Sequence, residues 1–361
     1  MRITHWIPIL FLFFPIAKSN AQQKKYVIHT VAFYNIENLY DTINDANTRD
    51  DDWVYSSSYY RKKISNIARV LSKIGTGENP NSPTIIGLAE VENRNALEDL
   101  IKDPQIINKD YGIVHFESPD RRGIDCSFLY QKKYFQPTSY ASIPLLIFEK
   151  DTKPIKKKIP EDDKEDSNEP DQITKRIYTR DQILLTGFLD GEEINFIVNH
   201  WPSRRGGEAI SNLLREKAAA LNVKIIDSLQ KLNRNAKVIT MGDLNDGPFN
   251  TSLKKVLKTK ANKNEVQLLG MYNPMENIAK KGIGTIAFRD AWDVFDQMIL
   301  TESLIREDYS TYKYWKAGVY NALFMVQTTG QYKGYGLRNT PTVPGFSDHF
   351  PVYIYLIKEK K

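Results

Sequence analysis

Carboxylates, amides and imidazoles gather in this sequence where runs of apolar residues stop. YVIHTVAFYN closes on Asn35, with Glu37 and Asn38 just beyond, and TIIGLAEV delivers Glu90, with Glu92 and Asn93 behind it. INFIVNHW ends on Asn199 and His200 and is followed by Arg204 and Arg205, while AKVITMGD brings Asp243, with Asn245 two residues on. Ser347, Asp348 and His349 precede FPVYIYLI. Asn35, Glu90 and Asp243 are hard oxygen donors, which suit Mg²⁺ or Mn²⁺ better than zinc. No HExxH or HxxxH pair supplies zinc spacing. Imidazoles beside such donors serve proton transfer, and guanidinium forks grip phosphate oxygens in pairs. The set therefore spells a phosphate-ester site, although surface solvation explains Arg204 and Arg205 equally well.

Of five histidines, His5 lies in an N-terminal leader and His29 and His115 lie inside apolar-alternating segments. His200 and His349 are the two flanked by acid, amide and arginine. The stretch MGDLNDGPFN raises the same choice in miniature, because Asp, Asn, Gly and Pro are also turn formers. Asp243 and Asn245, two apart at a strand end, should point to one side and act together; Asp246, Gly247 and Pro248 should turn the chain away. No GxSxG elbow, GxxxxGKS loop or GxGxxG after a strand is present, which removes the common serine-hydrolase, P-loop and dinucleotide readings. The single Cys126 excludes an internal disulfide and a cysteine-built metal site, and reads as a small buried hydrophobe.

Positioning these residues takes a mixed α/β chain of about ten short strands and several helices. YYRKKISNIARVLSKIG, NRNALEDLIKD and EAISNLLREKAAALNVKIIDSLQKL carry helical apolar spacing. ILLTGFL, IDCSFLYQ and VFDQMIL read as further strands. Residues 149–176 are dense in charge and proline and read as a surface insertion; residues 255–285 read as loop-rich. Composition is that of a globular protein, and the formal charge of +6 is a weak pointer to a polyanionic partner. Residues 1–21, with Arg2, the apolar IPILFLFFPIA and small residues before Gln22, read as a cleaved signal peptide. They imply an exported protein, periplasmic or secreted, and the remaining residues 22–361 read as one domain.

In order, FYNIENL, LAEVEN, RGIDCSFLY, VNHWPSRRGG, MGDLND, VFDQMIL and FSDHFPV resemble the endonuclease/exonuclease/phosphatase superfamily, with its deoxyribonuclease I-like fold. The resemblance spans roughly residues 26–357 and implies a four-layer α/β sandwich: two mixed β-sheets face to face with helices outside. It implies Glu90 as the metal-binding glutamate, Asn35 as the amide beside the metal, and Asp348 as a further metal or orienting contact. Asp243 would activate the attacking water with Asn245, His349 would contact the scissile phosphate, Asp296 would orient His349, and His200 would protonate the leaving group. Asn199, Arg204 and Arg205 would hold the phosphate. Two segments depart from the pattern: Val294-Phe295 replace a basic residue before Asp296, and QTTGQYKGYGLRNTPTVPG is unlike the better-known nucleases. The expected activity is an Mg²⁺-dependent endonuclease (Mn²⁺ or Ca²⁺ substituting) acting as a monomer on DNA rather than RNA, without stable membrane association. A phosphatase or phospholipase acting on inositol phosphates or sphingomyelin-like lipids is the alternative, and a non-catalytic binding module the second.

Overall fold

The computed structural model describes residues 24–45, 48, 55–148, 175–205 and 207–360. The leader, and residues 149–174 of the charged insertion, lie outside the described residues. The N-terminal half carries β1 (Tyr26–Leu39), α1 (Ser57–Leu71), β2 (Ile85–Val91), α2 (Arg94–Ile101), β3 (Tyr111–His115), β4 (Asp125–Gln131), β5 (Phe135–Ile143) and β6 (Ile147–Phe148). After the insertion come β7 (Arg176–Ile177), β8 (Gln182–Leu189), β9 (Glu192–His200), α3 (Glu208–Leu232) and β10 (Val238–Asp243). The chain continues with β11 (Met271–Tyr272), α4 (Met275–Ala279), β12 (Ile286–Phe288), β13 (Ala291–Asp293), β14 (Asp296–Thr301), β15 (Lys313–Val319) and β16 (Val352–Glu359).

Two six-stranded mixed sheets, ordered β15-β16-β1-β2-β4-β3 and β11-β14-β10-β9-β8-β5, lie face to face. Their inner faces interdigitate through Val31, Phe33, Ile85 and Phe128 from one sheet and Phe196, Val198, Met241 and Met298 from the other. Burial of such apolar surface is the main driving force for the stacking. Between the layers Gly87 leaves room: a Cβ there would stand 2.8 Å from Met241 Sδ. On the outer side of the first sheet, Ile64, Ile67, Ala68 and Leu71 of α1 and Leu97 and Leu100 of α2 form a second core. The Ser56 hydroxyl caps α1 by accepting from Tyr59 N at 3.3 Å. Ala218, Ala219, Ile225 and Ile226 of α3 form a third core over the second sheet. The result is the four-layer sandwich implied by the family resemblance, with Cys126 buried in its centre. Among the described residues no helix is long and apolar enough to cross a membrane.

Some strands escape the sequence pattern. Strand β5 is an edge strand containing Pro137, whose missing N–H is tolerated at an edge. The hairpin β12–β13 has only three residues per strand and follows directly on the stretch expected to be loop-rich. Strands β6 and β7 pair across the insertion, closing its base into a ribbon.

Candidate active site

Three neighbouring strands of the second sheet end side by side. His200 pairs in register with Asp243, and Asp243 with Asp296, so β9, β10 and β14 deliver an imidazole and two carboxylates to one edge. The first sheet contributes from β1 and β2, where Asn35 pairs with Ala89 and the register then slips. The slip places Glu90 at a φ of 68°. A non-glycine residue held in the left-handed region costs energy and is retained where the surroundings force it; here it turns the Glu90 carboxylate back toward the strand ends.

The carboxylates converge on one amide. Asn35 Nδ2 donates to Glu90 Oε1 at 3.3 Å and to Asp243 Oδ2 at 3.1 Å. Glu90 Oε2 accepts from Asn38 N at 3.0 Å. His200 Nε2 lies 3.8 Å from Glu90 Oε1 and 3.6 Å from Asp243 Oδ2. His349 is held on the other side: its Nδ1 donates to Asp296 Oδ2 at 2.7 Å while its Nε2 stands 3.8 Å from Asp243 Oδ2. Ser347 fixes the approach of this segment, its hydroxyl donating to Asn35 O at 2.7 Å and accepting from His349 N at 3.0 Å.

The two imidazoles are driven apart in charge. Burial, followed by the nearby charges of Arg180 and Arg122, pushes His200 well below the usual histidine range. Its Nδ1 is buried without a hydrogen-bond partner among the described residues, so a proton there would be a buried donor with no acceptor. For His349 burial acts in the same direction, but the charges of Asp296 and Asp243 outweigh it and hold the ring protonated well above that range. Burial also pushes Asp243 up to about 6, with the charges of Asp296 and Glu90 raising it and His349 opposing. Titrating groups separated this way mark acid and base functions.

No group of three or more His, Cys, Asp or Glu side chains forms a closed metal cage among the described residues. A hard cation needs none: Mg²⁺ is commonly held by one or two carboxylates, with water and phosphate oxygens filling its sphere. Glu90 Oε1 and Asp243 Oδ2, meeting at one amide nitrogen, fit that pattern. Asn35 does not fit as an oxygen ligand, because its Oδ1 already accepts from Glu37 N at 3.0 Å while its N–H groups face the anions. Asp348 is also drawn elsewhere, its Oδ2 facing Arg338 Nη2 at 3.5 Å.

Other expectations are corrected by position. Asn199 is fully buried and saturated: its Nδ2 donates to Thr240 Oγ1 and Met241 O, and its Oδ1 accepts from Trp201 and Asn222. It ties β9 to β10 and α3 and cannot grip a phosphate. Arg204 is spent inside the protein, donating to Asn245 O at 2.9 Å and Glu208 Oε2 at 3.2 Å and lying over the Phe295 ring. Arg205 is exposed. Asn245 lies beyond the end of β10 at a φ of 49°, so strand alternation does not align it with Asp243. It reaches Asp243 through its backbone, N–H to Oδ1 at 2.9 Å, and spends its side-chain Nδ2 on Trp201 O. Asp246 proves to be an anchor as well as a turn residue, fully buried between Arg215 Nε at 2.6 Å and Ser252 Oγ at 2.6 Å.

Two residues went unread in the sequence. Arg180, buried, donates to Asp120 Oδ2 at 2.8 Å and to the Trp201 carbonyl that Asn245 also uses. Thr285 Oγ1 accepts from the N–H groups of Phe295 and Asp296, both at 3.2 Å, and so sets the start of β14. No local pattern marks Arg180 as buried, since it follows the charged insertion.

Solved structures of this fold resemble the chain throughout. A Bacteroides thetaiotaomicron endonuclease/exonuclease/phosphatase family protein shares 16% identity at a TM-score of 0.51, with 93% of this chain and 97% of that one covered. A mannosyl-6-phosphatase from Bacteroides thetaiotaomicron VPI-5482 shares 18% at 0.51, covering 91% and 99%. D. rerio TDP2 complexed with single strand DNA product shares 12% at 0.50, covering 91% and 98%. No curated protein matches the sequence. The endonuclease/exonuclease/phosphatase family profile matches residues 30–160 and 161–358, nearly the whole described chain, and the protein belongs to that family of phosphoester hydrolases.

Proposed function

We propose that this protein is an exported, divalent-metal-dependent phosphodiesterase that hydrolyses nucleic acid, DNA in preference to RNA. The convergence of Glu90 Oε1 and Asp243 Oδ2 beside a protonated His349 is the observation that carries the reading. A divalent cation bound at these carboxylates supplies neutralisation of charge on the phosphoryl oxygens. Asp243, as the carboxylate, orients and deprotonates the attacking water, and the backbone N–H of Asn245 holds it for that task. His349, kept cationic by Asp296, stabilises the negative charge that builds on the phosphate. His200 departs from the role of ready proton donor. As a neutral ring, it offers Nε2–H as a hydrogen bond to the leaving oxygen. The positive formal charge of the chain and the single-stranded DNA product held by D. rerio TDP2 support the nucleic-acid substrate.

A phosphomonoesterase is the second reading, favoured by the mannosyl-6-phosphatase among the similar structures. A panel of plasmid DNA, RNA, sugar and inositol phosphates and sphingomyelin, each with Mg²⁺ or EDTA, separates the two. Strand cleavage that EDTA abolishes is expected; release of inorganic phosphate without cleavage would replace the nuclease reading by the phosphatase one.

A further inference from the structure

Beside the catalytic edge, aromatic rings stand exposed where a globular surface would normally hide them. The hairpin β12–β13 is rooted in the site itself. Ile286 bridges to His349, Thr285 O accepts from Phe350 N at 2.7 Å, and Thr285 Oγ1 holds the start of β14. Its turn places Arg289 and Asp290 at φ of 50° and 62°, the left-handed pair that a tight two-residue hairpin turn requires. Trp292 stacks on Phe350, the neighbour of His349, with ring centroids 5.9 Å apart and planes 11° apart. Tyr335 packs edge-on to Trp292 at 5.8 Å, and Tyr332 continues the row at 5.6 Å from Tyr335. The Tyr335 hydroxyl locks the row to the hairpin by donating to Asp290 Oδ1 at 2.8 Å and accepting from Asp290 N at 2.7 Å. Despite this bracing, Phe288 remains 70% exposed, Tyr332 59% and Trp292 41%.

Rigid, exposed rings that solvent disfavours mark a binding surface. Arg289 and Lys333 stand exposed on the same two segments, so the occupant combines flat rings with negative charge. We propose that Phe288, Trp292, Tyr332 and Tyr335 form a platform on which an unpaired nucleobase stacks next to the scissile phosphate. The proposal rests on the nucleic-acid reading above and goes beyond it. Because a paired base hides its faces in the stack, the platform selects single-stranded, frayed or flipped-out substrates over intact duplex.

The test measures binding in EDTA, by fluorescence anisotropy, of a labelled oligothymidine and of an abasic strand with the same backbone. Wild-type protein should hold the base-bearing strand on the order of tenfold more tightly. The exposed-ring variant F288A, and W292A with its fold verified by circular dichroism, should bring that ratio toward unity. A ratio near unity in the wild type, or one unchanged in both variants, overturns the platform. Cleavage of the abasic strand with Mg²⁺ tests the phosphodiesterase reading separately. If that strand is cut while the ratio is unity, the platform alone is wrong. If neither strand is bound or cut, the nucleic-acid reading falls and the platform with it. Binding to sphingomyelin vesicles that F288A removes, in place of strand binding, would overturn the proposal in favour of a lipid surface.

Discussion

His349 donates from Nδ1 to Asp296 Oδ2 across 2.7 Å, both side chains buried at the edge of the sandwich. The pair does more than orient the ring, because Asp296 is the leading charge holding it protonated. Replacing Asp296 by Asn keeps the shape and removes that charge. D296N should lower the His349 titration, followed by NMR, and reduce kcat by about two to three orders of magnitude. Unchanged turnover with a lowered His349 titration would take the imidazolium out of the mechanism.

His200 makes a different prediction. Its neutral ring contributes a hydrogen bond, so H200A should lower kcat about a hundredfold or more, while H200Q, which keeps an N–H donor, should recover part of the loss. If H200Q is as inactive as H200A, a titrating imidazole is required at that position.

Asp243 governs the acid side of the pH profile. Its folded-state value is raised to about 6 from an ordinary 3.8, so the active carboxylate is lost as pH falls through about 6, and kcat/KM should fall with it. The same shift means that the folded protein favours the protonated acid. Ionising Asp243 therefore costs stability between pH about 4 and 6, and the cost persists above 6. A cation on this carboxylate competes with the proton. Raising Mg²⁺ should move the acid limb to lower pH and raise the thermal midpoint more at pH 7 than at pH 5. An acid limb indifferent to Mg²⁺ would separate Asp243 from the metal.

Arg215 and Asp246 are both fully buried and 2.6 Å apart. Removing one partner strands the other, so R215A should cost about 3–5 kcal/mol in urea unfolding. A loss below about 1 kcal/mol, the range of exposed pairs, would mean that the site is hydrated.

Four of the residues that converge at the edge were legible because each interrupts an apolar run with a type that burial disfavours. Glu90, His200, Asp243 and His349 sit at such breaks, and the sheets bring them together with Asp296, which the family resemblance alone singled out. Asn199 shows what was overlooked: adjacent strand residues point to opposite faces, so it and His200 cannot both face the site. Asn245 was misread for a related reason, since alternation stops where the strand stops. Arg180 and the β12–β13 hairpin were beyond reach, the first because its burial depends on Asp120, distant in sequence, and the second because three-residue strands carry no periodicity.

The most direct test of the account is hydrolysis of an end-labelled DNA strand by the protein with Mg²⁺, with EDTA, and by E90Q with Mg²⁺. The account predicts cleavage in the first case, none with EDTA, and a loss of at least about a hundredfold in E90Q. Cleavage that survives both EDTA and E90Q would contradict it.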